Sequence, residues 1–132
     1  MADDRHRETI LVVDDNAAVR GLAKRILEIA GYTVITAADG QEGLQCYEQY
    51  RASIVLLLTD VVMPNIGGFE LAERVLKMDS EVSVVLMSGD SPDYQSSEYL
   101  AKPFRPTELI ETVNRVLSAN TQTRKAVVHN AY

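Results

Sequence analysis

The stretch at positions 54–64, IVLLLTDVVMP, constrains what this chain can fold into more than any other. Five consecutive branched apolar residues leave neither face of a strand suited to water. Such a run marks a central strand of a parallel sheet covered on both sides, not a hairpin strand that alternates apolar and polar residues. Asp60 falls where that strand must end. Open α/β sheets keep their ligand crevice outside the carboxyl ends of the strands, so a carboxylate closing the most buried strand stands where chemistry takes place.

The remaining segments read as what surrounds it. A second apolar run at 10–13 ends in Asp14 and Asp15, with Asn16 behind them. From Ala17, the residues Val19, Leu22, Ala23, Ile26 and Ile29 recur at spacings of three and four. They predict a helix with that face buried, stopped by Gly31 as a left-handed cap. Positions 32–37 are β-branched and half polar, as expected of an outer strand, and Asp39 with Gly40 makes the turn out of it. A second helix follows at 41–50 with Leu44 and Tyr47 inward. Beyond Pro64, the run Asn65, Ile66, Gly67, Gly68 is a turn, and Leu71, Ala72, Val75 and Leu76 mark a third helix ending near Met78. A fourth strand at 82–87 ends at Ser88 and Gly89, and a short fifth at 99–101 is closed by Lys102 and Pro103. Pro106 suits the first turn of a last helix, with Leu109, Ile110, Val113, Val116 and Leu117 buried. Positions 1–8 read as a charged arm, 9–118 as the folded domain, and 119–132, polar and without a stripe, as a flexible tail. Five strands alternating with helices call for an α/β fold with a doubly wound parallel sheet and right-handed crossovers.

Composition narrows the function classes. A chain of 132 residues, 46% hydrophobic, fits one domain with a core of its own. The net charge of −6 speaks against a nucleic-acid backbone as partner, and no run approaches the roughly 18 apolar residues of a membrane span. Cys46, the one cysteine, forms no internal disulfide and reads as a small apolar helix residue in a reducing, cytoplasmic setting. His6 and His129 lie in the end segments and carry no role. Partners are expected to be proteins and cations.

If the strands are parallel, Asp14, Asp15, Asp60, Ser88 and Lys102 gather at one edge of the sheet. Crowded carboxylates raise one another's pKa unless a cation neutralises them. All-oxygen ligation without His or Cys favours Mg²⁺, which takes one or two carboxylates and fills its octahedron with water and phosphate oxygens. An Asp carboxylate is itself a competent phosphoryl acceptor. Asp60 is the candidate, with Lys102 as the ammonium that covers a phosphoryl oxygen and is otherwise paired mainly with Asp60, and Ser88 as a hydroxyl that senses the modification. Taken singly, these residues read as helix caps, turn residues and a solvated lysine. Each at the carboxyl end of a different strand, they read as a site.

The motifs ILVVDDN at 10–16, LLLTDVVMPNIGG at 56–68, VVLMSG at 84–89 and YLAKPF at 99–104 resemble the receiver domain of two-component response regulators, similar to its chemotaxis-type, single-domain members. The resemblance covers about 8–118 and implies a flavodoxin-like sheet of order 2-1-3-4-5. It implies Asp60 as phosphoacceptor, and Asp15, Asp60 and the backbone carbonyl of Val62 as Mg²⁺ ligands, with Asp14 acting near the metal through water. It further implies Ser88 as switch hydroxyl, Gly89 as a backbone donor to the phosphoryl group, Lys102 as its ion pair, Tyr99 as the aromatic that swings inward on activation, and a cis peptide between Lys102 and Pro103. The expected function is a signalling switch that takes phosphate from a histidine kinase or phosphotransfer protein, catalyses only its own phosphorylation and dephosphorylation, and signals by contact with a protein target.

Three rival classes fit less well. An aspartate-nucleophile phosphatase needs a second Asp two residues after the first, where this chain has Val62. A flavodoxin-like cofactor module needs a phosphate-cradling loop after the first strand, where Asp14 and Asp15 repel phosphate. A pseudo-receiver that binds partners without phosphate does not need the full set of acids, Ser88 and Lys102. Val62 and Asp90 occupy positions that vary across the family and are associated with phosphoryl lifetime. The segment from Gly89 to Ser97 is too short for the helix that related receivers place between strands four and five, which predicts a shortened or missing helix and a remodelled face there.

Overall fold

The computed structural model describes residues 8–89 and 98–130, with side chains through Asn120. The order is β1 (Thr9–Val13), α1 (Ala17–Ile29), β2 (Thr33–Ala37), α2 (Gly40–Tyr50), β3 (Ile54–Asp60), α3 (Gly68–Met78), β4 (Ser83–Ser88), β5 (Glu98–Ala101) and α4 (Pro106–Asn130). The strands form one parallel sheet in the order β2-β1-β3-β4-β5. This is the doubly wound, flavodoxin-like arrangement. The shortened or missing helix expected between β4 and β5 falls on 90–97, which lie outside the described residues.

The all-apolar strands work as their composition requires. In β3, Leu56 and Leu58 face one core, with Ile10, Val12, and the α1 and α4 residues Leu27, Leu109 and Val113. Leu57 faces the other, with Leu11, Val13, Tyr47 on α2 and Leu71 and Val75 on α3, and Ile54 joins that second core out of alternation, where the pairing of β1 with β3 shifts register between Thr9 and Ile10. Period-two alternation therefore sends apolar groups to two separate cores, and each fully buried Leu contributes about 2 kcal/mol.

Helix ends follow local chemistry. Asn16 Oδ1 accepts hydrogen bonds from the backbone N–H groups of Ala18 and Val19, capping α1. At the other end Gly31 has φ 106°. Its N–H donates to Glu28 O at 3.0 Å and that of Tyr32 to Leu27 O at 3.1 Å, the left-handed termination expected of this glycine. At the start of α2, Asp39 Oδ1 accepts from Glu42 N at 2.8 Å and Glu42 Oε1 from Ala38 N at 2.6 Å.

Two expectations are corrected. The buried face of α1 is Ala23, Ile26 and Leu27, whereas Leu22 is 48% and Ile29 78% exposed. The apolar spacing admits two overlapping stripes that share Ala23 and Ile26, and the helix is rotated so that Leu27 rather than Leu22 and Ile29 completes the buried one. The last helix does not stop near Ser118 but stays helical to Asn130. No Gly or Pro interrupts 107–130, and Asn120 Nδ2 donates to Glu81 O at 2.8 Å and Ser83 Oγ at 3.0 Å, holding the helix where its apolar stripe runs out.

The amino-terminal edge of the sheet is closed by a polar cluster. Buried Tyr47 donates from its hydroxyl to Asp79 Oδ2 at 2.7 Å, and Arg51 pairs with Asp79 at 3.1 Å and donates to Met78 O at 2.8 Å. Burial and Asp79 together raise the Tyr47 pKa. The Tyr47 hydroxyl and then the Arg51 guanidinium hold the Asp79 pKa below its ordinary value. A depressed carboxylate contributes stability that is present above the unfolded pKa, about 3.9, and is lost as pH falls through the folded one. Asp79→Asn is therefore expected to melt at lower temperature than the parent at pH 7. In melts taken at a series of pH values, the difference should shrink as the pH falls below about 4.

Candidate functional site

The parallel registers bring the strand ends together. Val13 pairs with Thr59, Asp60 with Met87, and Ser88 with Ala101. Asp14, Asp60, Ser88 and Lys102 therefore lie at or one residue beyond the carboxyl ends of four adjacent strands. Asp14, Asp15 and Asp60 each offer an oxygen, all within 4.8 Å of one another. Asp14 is fully buried, Asp60 is buried at 8% exposure, and Asp15 opens to solvent.

Lys102 spans the acids. Its Nζ lies 2.8 Å from Asp14 Oδ2 and 3.3 Å from Asp60 Oδ1. The closer partner is Asp14, not the expected Asp60, because the fully buried carboxylate has no water to fall back on. Burial pulls the lysine's pKa down, but its close pairing with the carboxylates of Asp14 and Asp60 outweighs it and leaves it above the ordinary lysine value. Burial, then the charge of Asp14, pushes the Asp60 carboxyl above the ordinary carboxylate range against the opposing pull of Lys102.

The acid pair is braced through its backbone. Asp14 Oδ1 accepts from Asn16 N at 2.9 Å, and Arg20 Nη1 donates to Asp14 O at 2.7 Å. Asn16 is thus the helix cap, which frees Asp14 and Asp15 from that role. Its position just before the helix was a readable signal. Arg20 carried none, since a basic residue one turn into an exposed helix ordinarily points to water. On the far side, Val61 N donates to Met87 O at 3.0 Å and Gly68 N to Val61 O at 2.9 Å, fixing both flanks of the loop that contains Val62. The Val62 side chain is 75% exposed.

Ser88 is buried at the end of β4, and its carbonyl accepts from Lys102 N at 2.9 Å and from the Tyr99 hydroxyl at 3.0 Å. The aromatic hydroxyl and the lysine backbone therefore both bond to this serine's carbonyl. Gly89 beside it is exposed, with open space where a side chain would stand. The Lys102–Pro103 peptide is cis. All the acids, hydroxyl and amine singled out in the sequence are brought to this one edge.

The residues fit a hard divalent cation. Their donors are all oxygens, and buried Asp14 Oδ2 has the ammonium as its ion-pair partner but no directional hydrogen bond of its own. Among the described residues, no helix is long and apolar enough to cross a membrane.

Residues 10–114 match the response regulator receiver domain family. A probable transcriptional regulator, ycf27, of Guillardia theta is 34% identical over 84% of this chain and 46% of its own length. The chain thus spans about half the length of such curated relatives. The chemotaxis protein CheY of Thermotoga maritima is 28% identical over 81% of this chain and 95% of its own. The crystal structure of a response regulator receiver domain protein from Clostridium thermocellum superposes with a TM-score of 0.81 at 27% identity, covering 88% of this chain and 98% of that one. Strand order, strand-end acids and family match agree, and the chain belongs to the receiver domain family of two-component response regulators.

Proposed function

We propose that the chain is a phosphorylation-activated switch in which Asp60 accepts a phosphoryl group from the phosphohistidine of a histidine kinase or phosphotransfer protein. The observation that carries this reading is the Lys102 ammonium held between Asp14 and Asp60, 2.8 and 3.3 Å away, at the open edge of the sheet. A cation fixed in a partly buried pocket is a ready counter-charge for developing phosphoryl oxygens.

In this mechanism a carboxylate oxygen of Asp60 attacks phosphorus as the P–N bond to the donor imidazole breaks, and the imidazole departs with the electron pair. Lys102 stays on Asp14 and turns its free N–H capacity from Asp60 to a phosphoryl oxygen. The Ser88 hydroxyl and the Gly89 N–H offer further donors. Tyr99 is bonded to the Ser88 carbonyl, so movement of Ser88 toward the phosphoryl group is transmitted to the β5 surface. Asp14, Asp15, Asp60 and the Val62 carbonyl would hold Mg²⁺, Asp14 through water. When bound, Mg²⁺ offsets the repulsion between these acids and the incoming anion. The catalysis is confined to the protein's own phosphorylation and dephosphorylation. The output is contact with a downstream protein in the cytoplasm, where the net charge of −6 disfavours direct nucleic-acid binding.

Incubation with acetyl phosphate and Mg²⁺ should add one phosphoryl group by intact-mass measurement, and Asp60→Asn or excess chelator should prevent it. Undiminished labelling of the Asn variant would remove Asp60 from the mechanism. Lys102→Met should melt earlier in chelator by an amount equivalent to about 3 kcal/mol, the low end for a broken buried pair because the lysine is itself 20% exposed, since Asp14 is left buried without its counter-charge. Added Mg²⁺ should recover part of that loss. Phosphate-dependent changes in amide spectra around Ser88 and Tyr99 should be lost in this variant, and their persistence would make Lys102 a bystander.

A further inference from the structure

Gly40 reads in the sequence as a turn residue after β2, but its backbone has no positive φ and it is the first residue of α2. What it supplies is space. A Cβ at this position would lie 2.3 Å from the Ile66 carbonyl oxygen and 2.8 Å from the Ile66 Cβ. Ile66 belongs to the loop that leads from Asp60 through Val62 to α3. One helical turn on, a Cβ at Gly43 would stand 2.9 Å from Val13 Cγ2. Val13 immediately precedes Asp14. The first turn of α2 thus bears on both chain segments that deliver acids to the site.

The two sides of the Gly40 contact differ in how readily they give. The α2 side is locked by Asp39 and Glu42 and by the Gly43 N–H to Asp39 O bond of 2.9 Å, and Gly43 is seated on Val13. The loop side passes through exposed Pro64 and through Asn65, which has φ 66°. An added methyl at Gly40 would therefore displace the loop rather than the helix.

We propose that Gly40 is a positioning residue for the phosphoryl-transfer site: its missing side chain lets the loop after Asp60 seat against α2 and so sets where the Val62 carbonyl stands relative to Asp14, Asp15 and Asp60. The inference rests on the phosphoacceptor reading above. Gly40 touches neither metal nor phosphate and acts through Ile66. Alanine is a better helix former than glycine, so lost function in Gly40→Ala would not come from an unravelled α2.

The test compares Gly40→Ala with the parent and with Gly21→Ala, a helical site where a Cβ meets nothing within 4 Å. Three quantities are read: melting temperature in chelator, ¹H–¹⁵N amide positions in metal-free protein, and Mg²⁺ affinity by calorimetry. Gly40→Ala should keep a cooperative melt, shift the amides of 61–68 well beyond those of Gly21→Ala, and bind Mg²⁺ about tenfold more weakly, the size typical of a disturbed support behind a metal ligand. Gly21→Ala should bind Mg²⁺ as the parent does. Unshifted amides at 61–68 would overturn the inference whatever the metal does, and shifted amides with parental affinity would overturn it equally. A parent that binds no Mg²⁺ and takes no label would instead bring down the functional reading, and this inference with it.

Discussion

The structure turns on keeping two carboxylates from adjacent strands together in a place with little water. Asp14 is fully buried and Asp60 nearly so, and burial together with the charge of Asp14 raises the cost of ionising Asp60. One ammonium, Lys102, stands between them. Removing a partner from such an arrangement is far more costly than the arrangement is stabilising, because the charge left behind has no solvent to return to. The site is thus held in tension by the same groups that the proposed function uses to receive a cation and a phosphoryl anion.

The parallel topology makes this possible. Strand order places β1 beside β3 and β4 beside β5, so one edge of the sheet collects every strand's carboxyl end. The opposite edge is tied by Tyr47, Arg51 and Asp79, with no share in the chemistry. Between them lie two apolar cores that fix the strands in register. The chemical edge is then refined by backbone contacts: Arg20 on the Asp14 carbonyl, Gly68 N on the Val61 carbonyl, and Gly40 against Ile66. These contacts act on main chain, which positions side chains more firmly than contacts between flexible groups do.

Much of this was legible in the sequence, for stated physical reasons. The doubly buried run at 54–58 required a central parallel strand, and helix periodicity, the Gly31 terminus and Pro106 located the helices. What escaped has a common cause. The burial of Leu27 beside the expected Ala23 and Ile26, with Leu22 and Ile29 left exposed, depends on how α1 rotates against the sheet, which spacing alone leaves two ways open. The continuation of α4 past Ser118 comes from an absence of breakers and from Asn120 reaching Glu81 and Ser83, a contact 39 and 37 positions away in sequence. The preference of Lys102 for Asp14 over Asp60 follows from relative burial, which no motif encodes. Gly40 looked like a turn because glycine usually is one, and only the approach of Ile66 shows the space it leaves.

The central claim is that this edge of the sheet exists to place a phosphoryl group on one carboxylate. Reduction of an acyl phosphate with borohydride converts the modified aspartate to homoserine and leaves ordinary carboxylates untouched. Protein treated with acetyl phosphate and Mg²⁺, then reduced, digested and sequenced by tandem mass spectrometry, should carry homoserine at position 60 alone. Homoserine at Asp14 or Asp15, or its absence from a protein shown to gain the mass of phosphate, would contradict the account.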